Sequence, residues 1–428
     1  MKGKPAGLKL YRALTWLTQA ITPALLRSRA AKGKEDPERM GERMGRPGHA
    51  RPEGPLVWLH GASVGESLSL LPLIKALGGR RPNLRMLATS GTVTAAEMMA
   101  KRLPPEVLHQ FAPIDTPDAV RRFLDHWRPE LAIFVESELW PNLILEAKRR
   151  NVALALLSAR LSEQSLKGWA KARQSAATLL ESFDLVMAQD DAAAKRLDVL
   201  GAGDDGRLNL KLAGDPLPVE RHKLDAARAG AGNRPVLLAA STHPGEDEMV
   251  LDAFERLKAR KPAPLLVIAP RHPVRGPDLA ALAQSRGFKV GLQSAGAAFG
   301  ASEVYIADAL GELGLWFRLA AGALVGGSLL PGPGGHNPME PARLACPIVT
   351  GPHVDNWESV FDLFQDDSAL LEASDAKGLA EAFASLLDEP EITAGMAVRA
   401  KEVADAQSGA LEAAVDMLLD LIAPDEAK

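Results

Sequence analysis

Short apolar runs alternate with helical patterns along most of this chain, and no other feature of the sequence constrains the fold as strongly. In the first half, the apolar runs lie at 55–60, 84–89, 131–135, 152–157 and 184–188. Helical patterns separate them, at 65–78, 92–102, 117–127, 139–150 and 164–181. Runs that are apolar throughout are typical of strands buried on both faces, and strands joined by helices form a parallel sheet. The first half therefore predicts a parallel sheet covered by helices.

A second series of the same kind follows a poorly patterned stretch at 201–233. Its apolar runs lie at 235–241, 264–270, 288–293, 303–308, 322–328 and 347–352. With 428 residues the chain is too long for one ordinary core. We therefore predict an α/β protein with two tandem, doubly wound, Rossmann-like domains and an interdomain cleft. The expected domains are 51–213 and 234–428, with a hinge at 214–233 and a last helix, around 408–422, that packs back on the N-terminal domain.

The first 50 residues form a separate basic, amphipathic segment. Residues 1–51 contain twelve Lys or Arg and four Asp or Glu, a net charge of +8 in a chain whose total is −4. The apolar stretch at 8–30 is interrupted by Arg12, Gln19 and Pro23, so it matches a membrane-spanning helix poorly. We predict a helix that lies on an anionic membrane face; the alternative is a core helix with a basic loop. Because the rest of the chain is acidic, nucleic acid is not indicated.

Ligands of such sheets bind beyond the carboxyl ends of the strands, so the loops after the predicted strands are candidate sites. HGASVGES (60–67) follows the first strand and carries Glu66 in the first turn of a helix, three residues after Ser63. Glu66 is a candidate general base. The same spacing also fits a capping box, in which the acid only stabilises the helix. From this motif alone, the capping role is favoured.

ESELWPN (136–142) follows the strand at 131–135 and places Glu136 and Glu138 close together. Two neighbouring acids repel, which raises the pKa of one of them. Either acid could instead cap the helix that follows, and the local pattern does not choose between these roles.

In the second half, Arg271 follows a strand between two prolines, and Gly311 and Glu312 lie at a helix start. An arginine can hold a phosphate group through two parallel hydrogen bonds. STHPGEDE (241–248) also follows a strand and offers hydroxyls and backbone amides.

The stretch GGSLLPGPGGHNPMEP (326–341) combines five glycines with His336, Asn337 and Glu340. Its glycines allow the backbone to approach a ligand closely. A helix over about 338–345, beginning at a proline, would present its N-terminus to an anion. Together with the arginine, this predicts a phosphate-bearing ligand in the second domain.

Several other classes of site are disfavoured. The chain has no GKS or GKT phosphate loop and no GxGxxG after the first strand, which argues against ATPases and NAD-dependent dehydrogenases. The histidines and acids form no recognisable metal triad, so we expect metal-independent chemistry and no cofactor. A single cysteine, Cys346, excludes an internal disulfide. The residues thus predict a two-domain α/β enzyme that binds a nucleotide-type donor in its cleft, with an acid from the first domain.

Nine motifs together resemble one family, the transferases that attach 3-deoxy-D-manno-octulosonic acid (Kdo) to the lipid A precursor. They occur in the family's order across about residues 10–420: GERMG (41–45), HGASVGE (60–66), ESELWPNL (136–143), SARLS (158–162), STHPGE (241–246), PRHP (270–273), DALGEL (308–313), GGHNPMEPA (334–342) and GPHVDN (351–356). The resemblance implies the two-domain fold of GT-B glycosyltransferases, with an acceptor-binding first domain and a nucleotide-sugar-binding second domain.

The resemblance also implies the reaction. The donor would be CMP-Kdo and the acceptor a lipid A precursor, lipid IVA, in lipopolysaccharide core biosynthesis. The transfer would be inverting and metal-independent, and the enzyme monotopic on the cytoplasmic face of the inner membrane. By position, Glu66 corresponds to the proton acceptor and Glu136 to an acid that supports the transition state. The positions that correspond to CMP contacts are Pro270, Arg271, Leu310, Gly311, Glu312, Asn337, Pro338, Met339 and Glu340.

One segment departs from the family pattern. The family usually carries Gly-Asn/Ser-Leu-Lys at the domain junction, whereas residues 214–217 read GDPL, with Leu217 in place of the lysine. Either a nearby cation such as Lys211 substitutes, or the acceptor or efficiency differs, or the chain is a divergent paralogue. The competing functions are accordingly another GT-B enzyme that uses a UDP-sugar and a catalytically silent, membrane-associated paralogue.

Overall fold

A computed structural model of the chain, which describes residues 5–422, contains two parallel sheets covered by helices. The strands are β1 Leu56–His60, β2 Arg85–Ser90, β3 Leu108–Phe111, β4 Leu131–Val135, β5 Ala153–Ala159, β6 Leu185–Ala188, β7 Val236–Thr242, β8 Leu265–Pro270, β9 Val290–Leu292, β10 Val304–Ile306, β11 Gly322–Val325, β12 Ile348–Thr350 and β13 Leu370–Glu372.

The helices precede, connect and follow these strands. They are α1 Ala6–Thr18, α2 Thr22–Ala30, α3 Met40–Arg43, α4 Val64–Arg80, α5 Val93–Arg102, α6 Pro117–Trp127, α7 Pro141–Arg149, α8 Glu163–Ala170, α9 Arg173–Leu180, α10 Asp191–Val199, α11 Arg221–Ala231, α12 Glu246–Leu257, α13 Gly276–Ser285, α14 Leu313–Leu319, α15 Met339–Ala342, α16 Glu358–Asp366, α17 Ala376–Asp388 and α18 Pro390–Asp420.

The chain divides into two compact units. The first comprises the chain up to Gly214 and from Gln407 onward, and the second comprises Asp215–Ala406. Within residues 5–422, the first unit contains a six-stranded sheet in the order β3-β2-β1-β4-β5-β6, and the second a seven-stranded sheet in the order β13-β12-β11-β7-β8-β10-β9. The paired strands run parallel, so the predicted α/β fold with two doubly wound domains is confirmed.

The apolar runs are strands because both faces of each sheet are buried. In β1, Leu56 and Trp58 belong to a core on one face, and Val57 and Leu59 to a core on the other. Successive side chains of a strand point to opposite faces, so a strand covered on both sides has no polar alternation. The C-terminal part of α18 adds Leu411, Val415 and Leu418, among others, to the second of these cores.

Two strands lack the continuous apolar run, and neither was predicted from the sequence. They are β3, with the sequence LHQF, and β13, with the sequence LLE. Each lies at an edge of its sheet. An edge strand pairs on one side only and is less enclosed, so polar residues are tolerated there, although the other two edge strands, β6 and β9, are apolar.

The helix predicted over about 338–345 is shorter than expected, because α15 covers only Met339–Ala342. Ala345 has a φ of 50°, a left-handed conformation that cannot continue an α-helix. A single helical turn has little dipole, so the predicted anion site at its N-terminus is not supported.

The N-terminal segment folds as α1 and α2, and part of its apolar surface stays exposed. Leu10, Leu14 and Leu17 of α1 are each more than half exposed, and so are Ile21 and Leu25. We call these five residues the apolar stripe. Among residues 5–422, no helix has the length and hydropathy that a membrane span requires.

Candidate active site

The parallel arrangement of the first sheet brings two of the predicted site residues to one edge. β1 and β4 are neighbours and parallel, so the loops after them leave the sheet at the same edge. Glu66 follows β1 on the first turn of α4, and Glu136 directly follows β4.

Glu66 forms the capping box that its spacing predicts. Its Oε2 accepts hydrogen bonds from the backbone N–H groups of Ala62 at 2.7 Å and Ser63 at 3.3 Å. Its Oε1 accepts from the Ser63 hydroxyl at 2.9 Å. A carboxylate has about four lone-pair sites, so these three donors leave room for one further hydrogen bond. The contacts that hold the helix are therefore compatible with a second role.

Glu136 is held in an unusual backbone conformation beside a lysine. Its φ is 57°, which is uncommon for a residue with a Cβ atom and is found most often at functional sites. Its Oε1 lies 2.6 Å from Nζ of Lys211, and the side chain of Glu136 is 13% exposed. The carboxylate is therefore held in place from two sides, by its backbone and by the lysine.

Lys211 also passes close to the helix that carries Glu66. A Cβ atom on Gly65 would lie 3.9 Å from Cε of Lys211. The lysine is positioned by its neighbour Leu210, whose N–H donates to the Ser158 hydroxyl at 2.7 Å. Ser158 lies at a register shift in β5 and has a φ of 49°, and such bulges often redirect side chains near sites.

The assignment of Leu217 to the position of the family lysine is wrong. Leu217 packs against an apolar core of the second unit, whereas Lys211 contacts Glu136 in the first. The sequence contained the signal: Asn209, Leu210 and Lys211 are the last three residues of the Gly-Asn/Ser-Leu-Lys pattern, six residues before the expected place.

Glu138, the second acid of the pair, has different partners. Its Oε2 lies 3.4 Å from Nε2 of His60 and accepts a hydrogen bond from the Trp140 indole. Burial raises the pKa of Glu138, but these hydrogen bonds and the charge of His60 outweigh it, so the pKa lies below its ordinary value. The raised pKa that we expected for one acid of the pair is therefore not found at Glu138.

An apolar cavity lies next to this edge of the sheet. It has a volume of about 330 Å³, and its lining includes His60, Ser63, Trp140 and the guanidinium-bearing Arg43. The Glu66 cap, through Ala62 and Ser63, forms part of its wall. A small-molecule group that entered the cavity would therefore lie beside Glu66.

In the second unit, neighbouring parallel strands again direct their following loops to one edge. The order β11-β7-β8-β10 brings together the glycine-rich loop after β11, His243 after β7, Arg271 after β8 and the 307–312 loop after β10. Arg271 is exposed, and its N–H donates to the Thr242 carbonyl at 3.0 Å. Pro270 is buried at the end of its strand.

Glu246 organises the glycine-rich loop. Its carboxylate is fully buried and accepts hydrogen bonds from the N–H groups of Gly327 at 2.8 Å, Ser328 at 3.0 Å and Leu329 at 3.0 Å. It also accepts from the N–H of His243 at 2.9 Å. This role of Glu246 was not predicted from the sequence, because acidic residues are common in the first turn of helices.

Two glycines of the loop are required by the loop itself. A Cβ atom on Gly326 would lie 2.8 Å from the Ala240 carbonyl oxygen, and Gly327 has a φ of 70° beside the His336 ring. Both positions would be strained by any larger residue. The expectation that the glycines serve ligand approach is thus not needed to explain these two.

His336 and His243 form a stacked pair. Their Nε2 atoms are 2.9 Å apart and their rings are 11° from parallel. Burial lowers the pKa of His336 to about 4, with contributions from His243 and Arg271. Burial also lowers the pKa of His243. The pair is therefore neutral near pH 7, and one ring donates to the other.

The residues of the NPME segment (337–340) differ in their surroundings. Asn337 accepts a hydrogen bond from the Met339 N–H at 3.0 Å, and the Met339 side chain is fully buried. Burial raises the pKa of Glu340, and the nearby cations Arg343 and Arg271 offset this only in part. Arg271, Glu340 and the histidine pair are thus close enough to interact electrostatically.

The Leu310–Glu312 segment lies at the same sheet edge with partners of its own. Glu312 pairs with Lys223 at 2.8 Å and accepts a hydrogen bond from Gln293 at 2.5 Å. Leu310 is 81% exposed, and Gly311 has a φ of 82°. Gly311 and Glu312 line a small cavity of about 210 Å³ with Lys223. Among residues 5–422, no group of three His, Cys, Asp or Glu side chains could hold a metal ion.

Comparison with known proteins agrees with this fold and these loops. Residues 38–213 match the family model described as 3-Deoxy-D-manno-octulosonic-acid transferase (kdotransferase). The 3-deoxy-D-manno-octulosonic acid transferase of Haemophilus influenzae is 32% identical, over 95% of this chain and 97% of that protein. The enzyme of the same name from Rickettsia bellii is 32% identical, over 89% and 91%. A glycosyltransferase structure from Rickettsia africae is similar with a TM-score of 0.54 at 11% identity, covering 86% of this chain and 99% of that one.

Two tandem parallel α/β units with polar loops at the carboxyl ends of their strands are the fold of GT-B glycosyltransferases. Sequence identity over nearly the whole length identifies the family within this fold. The chain belongs to the 3-deoxy-D-manno-octulosonic acid (Kdo) transferase family, as its motifs indicated.

Proposed function

We propose that this chain transfers Kdo from CMP-Kdo to a hydroxyl of the lipid A precursor lipid IVA, with inversion and without a metal ion. The observation that carries the proposal is the contact of Lys211 with Glu136 beside the helix turn that presents Glu66. Family membership supports the transfer of Kdo, and the enzymes of that name supply the precedent.

In the proposed reaction Glu66 is the general base. Its carboxylate takes the proton of the acceptor hydroxyl, whose oxygen bonds to the anomeric carbon of Kdo while the bond to CMP breaks and CMP leaves with the bonding pair. Three of the Glu66 lone pairs accept hydrogen bonds from Ala62 and Ser63, so the carboxylate is fixed in orientation. Fixed orientation favours proton transfer, because little reorganisation is then needed.

Glu136 and Lys211 would act on the charge that changes during this step. The glutamate is fixed by its backbone conformation and by the lysine. Preorganised charges of this kind stabilise a transition state more than mobile ones, since they need not reorient. We infer a role for the pair in stabilising the developing charge at the anomeric carbon and the departing phosphate.

The donor nucleotide would be bound by the second unit. Arg271 is exposed and is the residue type that holds phosphate through two hydrogen bonds. Asn337, Pro338, Met339 and Glu340, together with Pro270 and the segment Leu310, Gly311 and Glu312, are the proposed surroundings of CMP. The neutral histidine pair next to Arg271 can offer one N–H to the phosphate.

We further propose that the enzyme is monotopic on the cytoplasmic face of the inner membrane. The apolar stripe on α1 and α2 is exposed, and Lys9, Arg12, Arg27 and Lys32 lie nearby in the sequence. An exposed apolar face with flanking cations is the pattern of helices that lie in an anionic membrane surface.

The decisive experiment combines donor binding with product formation. CMP in hundredfold excess over its dissociation constant should stabilise the protein by roughly 2.7 kcal/mol in thermal unfolding, and UDP should not. Purified protein with CMP-Kdo and lipid IVA should then form a Kdo-containing lipid, detected by mass spectrometry. Stabilisation by UDP alone would point to a UDP-sugar enzyme, and CMP binding without product to a silent paralogue.

A further inference from the structure

We propose that a groove formed by α1, α6 and α7 binds the phosphate headgroup of an anionic glycerophospholipid. The groove has a volume of about 310 Å³, which falls at the small end of typical ligand sites. Leu8, Val120, Pro141 and Leu145 give it apolar walls. It lies wholly in the first unit and shares none of its lining with the cavity beside Glu66.

The charges that line the groove favour an anion. Four cations line it, namely Lys9, Arg12, Arg121 and Arg149, with two acids, Asp118 and Glu146. Each acid already pairs with a cation of the groove: Asp118 with Arg121 at 3.0 Å, and Glu146 with Arg149 at 2.6 Å. Within residues 5–422, Lys9 and Arg12 form no ion pair and both are exposed. The lining therefore carries two uncompensated positive charges.

The position of these two cations on α1 favours a lipid over a free anion. α1 is held to the first unit by the Tyr11 hydroxyl, which donates to Asp115 at 3.0 Å, and by Thr15, which accepts from Asn142 at 3.0 Å. At 3.6 residues per turn, Lys9 and Arg12 flank this attached face on one side, with the exposed Trp16 between them, and the apolar stripe lies on the face turned away from the unit. A phosphate held by the two cations would thus lie beside an indole, a side chain typical of membrane interfaces.

The occupant we infer is consequently one lipid molecule with both parts engaged. Its phosphate contacts Arg12 and Lys9, its glycerol lies against the apolar walls, and its acyl chains pass beside Trp16 into the membrane that the apolar stripe faces. This inference rests on the proposed membrane location, but it is independent of Kdo transfer. Binding of a lipid in the groove also differs from the general attraction of a basic protein to an anionic surface. In that attraction, every cation near the bilayer contributes about equally to the affinity.

A soluble lipid distinguishes binding in the groove from general attraction to an anionic surface. Dihexanoyl phosphatidylglycerol, kept below its micelle concentration, is titrated into the full-length protein while the thermal unfolding temperature is followed. We expect a saturable increase in that temperature, with none from dihexanoyl phosphatidylcholine or inorganic phosphate. The double variant Lys9→Gln/Arg12→Gln should weaken the apparent affinity about tenfold or more, because it removes charge-assisted contacts to the phosphate.

The matched control is Arg27→Gln/Lys32→Gln, which removes the same charge from exposed cations of the same segment that do not line the groove. It should bind the soluble lipid as the unchanged protein does. Equal weakening by both variants, or equal stabilisation by inorganic phosphate, would overturn the proposal. Competition by the deacylated lipid A precursor would assign the groove to the acceptor instead and would also overturn it. CMP-induced stabilisation, measured on the same samples, reports on the donor site separately.

Discussion

The carboxylate of Glu66 serves the helix that carries it and, in the proposed reaction, the acceptor hydroxyl. Glutamine satisfies a capping box nearly as well as glutamate, so Glu66→Gln separates the two roles. We expect a folded protein with little change in unfolding temperature and a rate lowered by about 10²–10⁴-fold, the usual contribution of a general base. The rate of Kdo transfer under single-turnover conditions is the measurement.

A second capping glutamate offers the control for this experiment. Glu248 occupies the same position in α12, where its Oε2 accepts from the Gly245 N–H at 3.1 Å. Glu248→Gln should leave transfer nearly unchanged. If the Glu66→Gln variant transferred Kdo at the normal rate, Glu66 would be a capping residue only.

Lys211 gives a second test of the proposed transfer reaction. Lys211→Ala leaves Glu136 without its cation, and we expect kcat to fall by about 10²-fold or more, since preorganised charge is lost. Lys211→Arg should recover part of this rate, because the charge remains while the geometry changes.

The Lys148–Asp184 ion pair is the control for the loss of the Lys211–Glu136 ion pair. Its atoms are 2.5 Å apart, and its lysine is as exposed as Lys211. Exposed pairs of this kind contribute about 0–1 kcal/mol to stability. Similar losses of activity for Lys148→Ala and Lys211→Ala would mean that Lys211 acts only on folding.

At the scale of single elements, α1 and α2 carry the membrane proposal. Leu14→Glu/Leu17→Glu places two charges in the apolar stripe, where insertion into the interface is the expected function. We predict loss of sedimentation with anionic vesicles and unchanged stabilisation by CMP. Val199→Glu/Ile392→Glu is the control, because these side chains are also 49% and 64% exposed but lie elsewhere in the chain. Equal membrane binding by the two double variants would contradict the role of the stripe.

The elements also show what sequence could and could not predict. Buried strands such as β1 and β4 could be predicted, because burial on both faces requires a continuous apolar run. The edge strands β3 and β13 were not, since each contains polar residues that interrupt the apolar run. Glu66 and Glu136 were located through motifs at strand ends. The Asn-Leu-Lys pattern at 209–211 could also have pointed to Lys211, but the contact of Lys211 with Glu136 depends on the bulge at Ser158, which the sequence does not show.

At the scale of the whole molecule, the neutral histidine pair predicts how stability responds to acid. The pKa of His336 is lowered to about 4 in the folded state, whereas an unfolded histidine has a value of about 6.5. Between these values the unfolded chain binds more protons, so the free energy of unfolding falls as the pH falls from about 6.5 to 4. His243, Arg271 and His272 oppose protonation of His336, and Glu246 favours it.

Other buried groups in the same unit have the opposite effect, because burial raises the pKa of Glu340 and Asp247. A difference measurement isolates the histidine. His336→Gln should lose less stability than the unchanged protein over this pH range, by up to ~3 kcal/mol from the size of the pKa shift. Denaturant unfolding at pH 7 and pH 5 should show about 2 kcal/mol of this difference, since only the interval from 6.5 to 5 is sampled; the exposed His222→Gln is the control. Parallel pH curves for all three proteins would contradict the assignment.

The buried carboxylate of Glu246 makes the glycine-rich loop a rigid part of its unit, despite a composition that suggests a flexible segment. Three consecutive amides of the loop donate to this one side chain, which belongs to the first turn of α12. Those amides can exchange with solvent deuterium only when the helix start and the loop separate, since a local fluctuation of the loop alone would strand a buried charge. The amides of Gly327, Ser328 and Leu329 should therefore exchange at one common, slow rate, as a single opening unit with the N–H of His243.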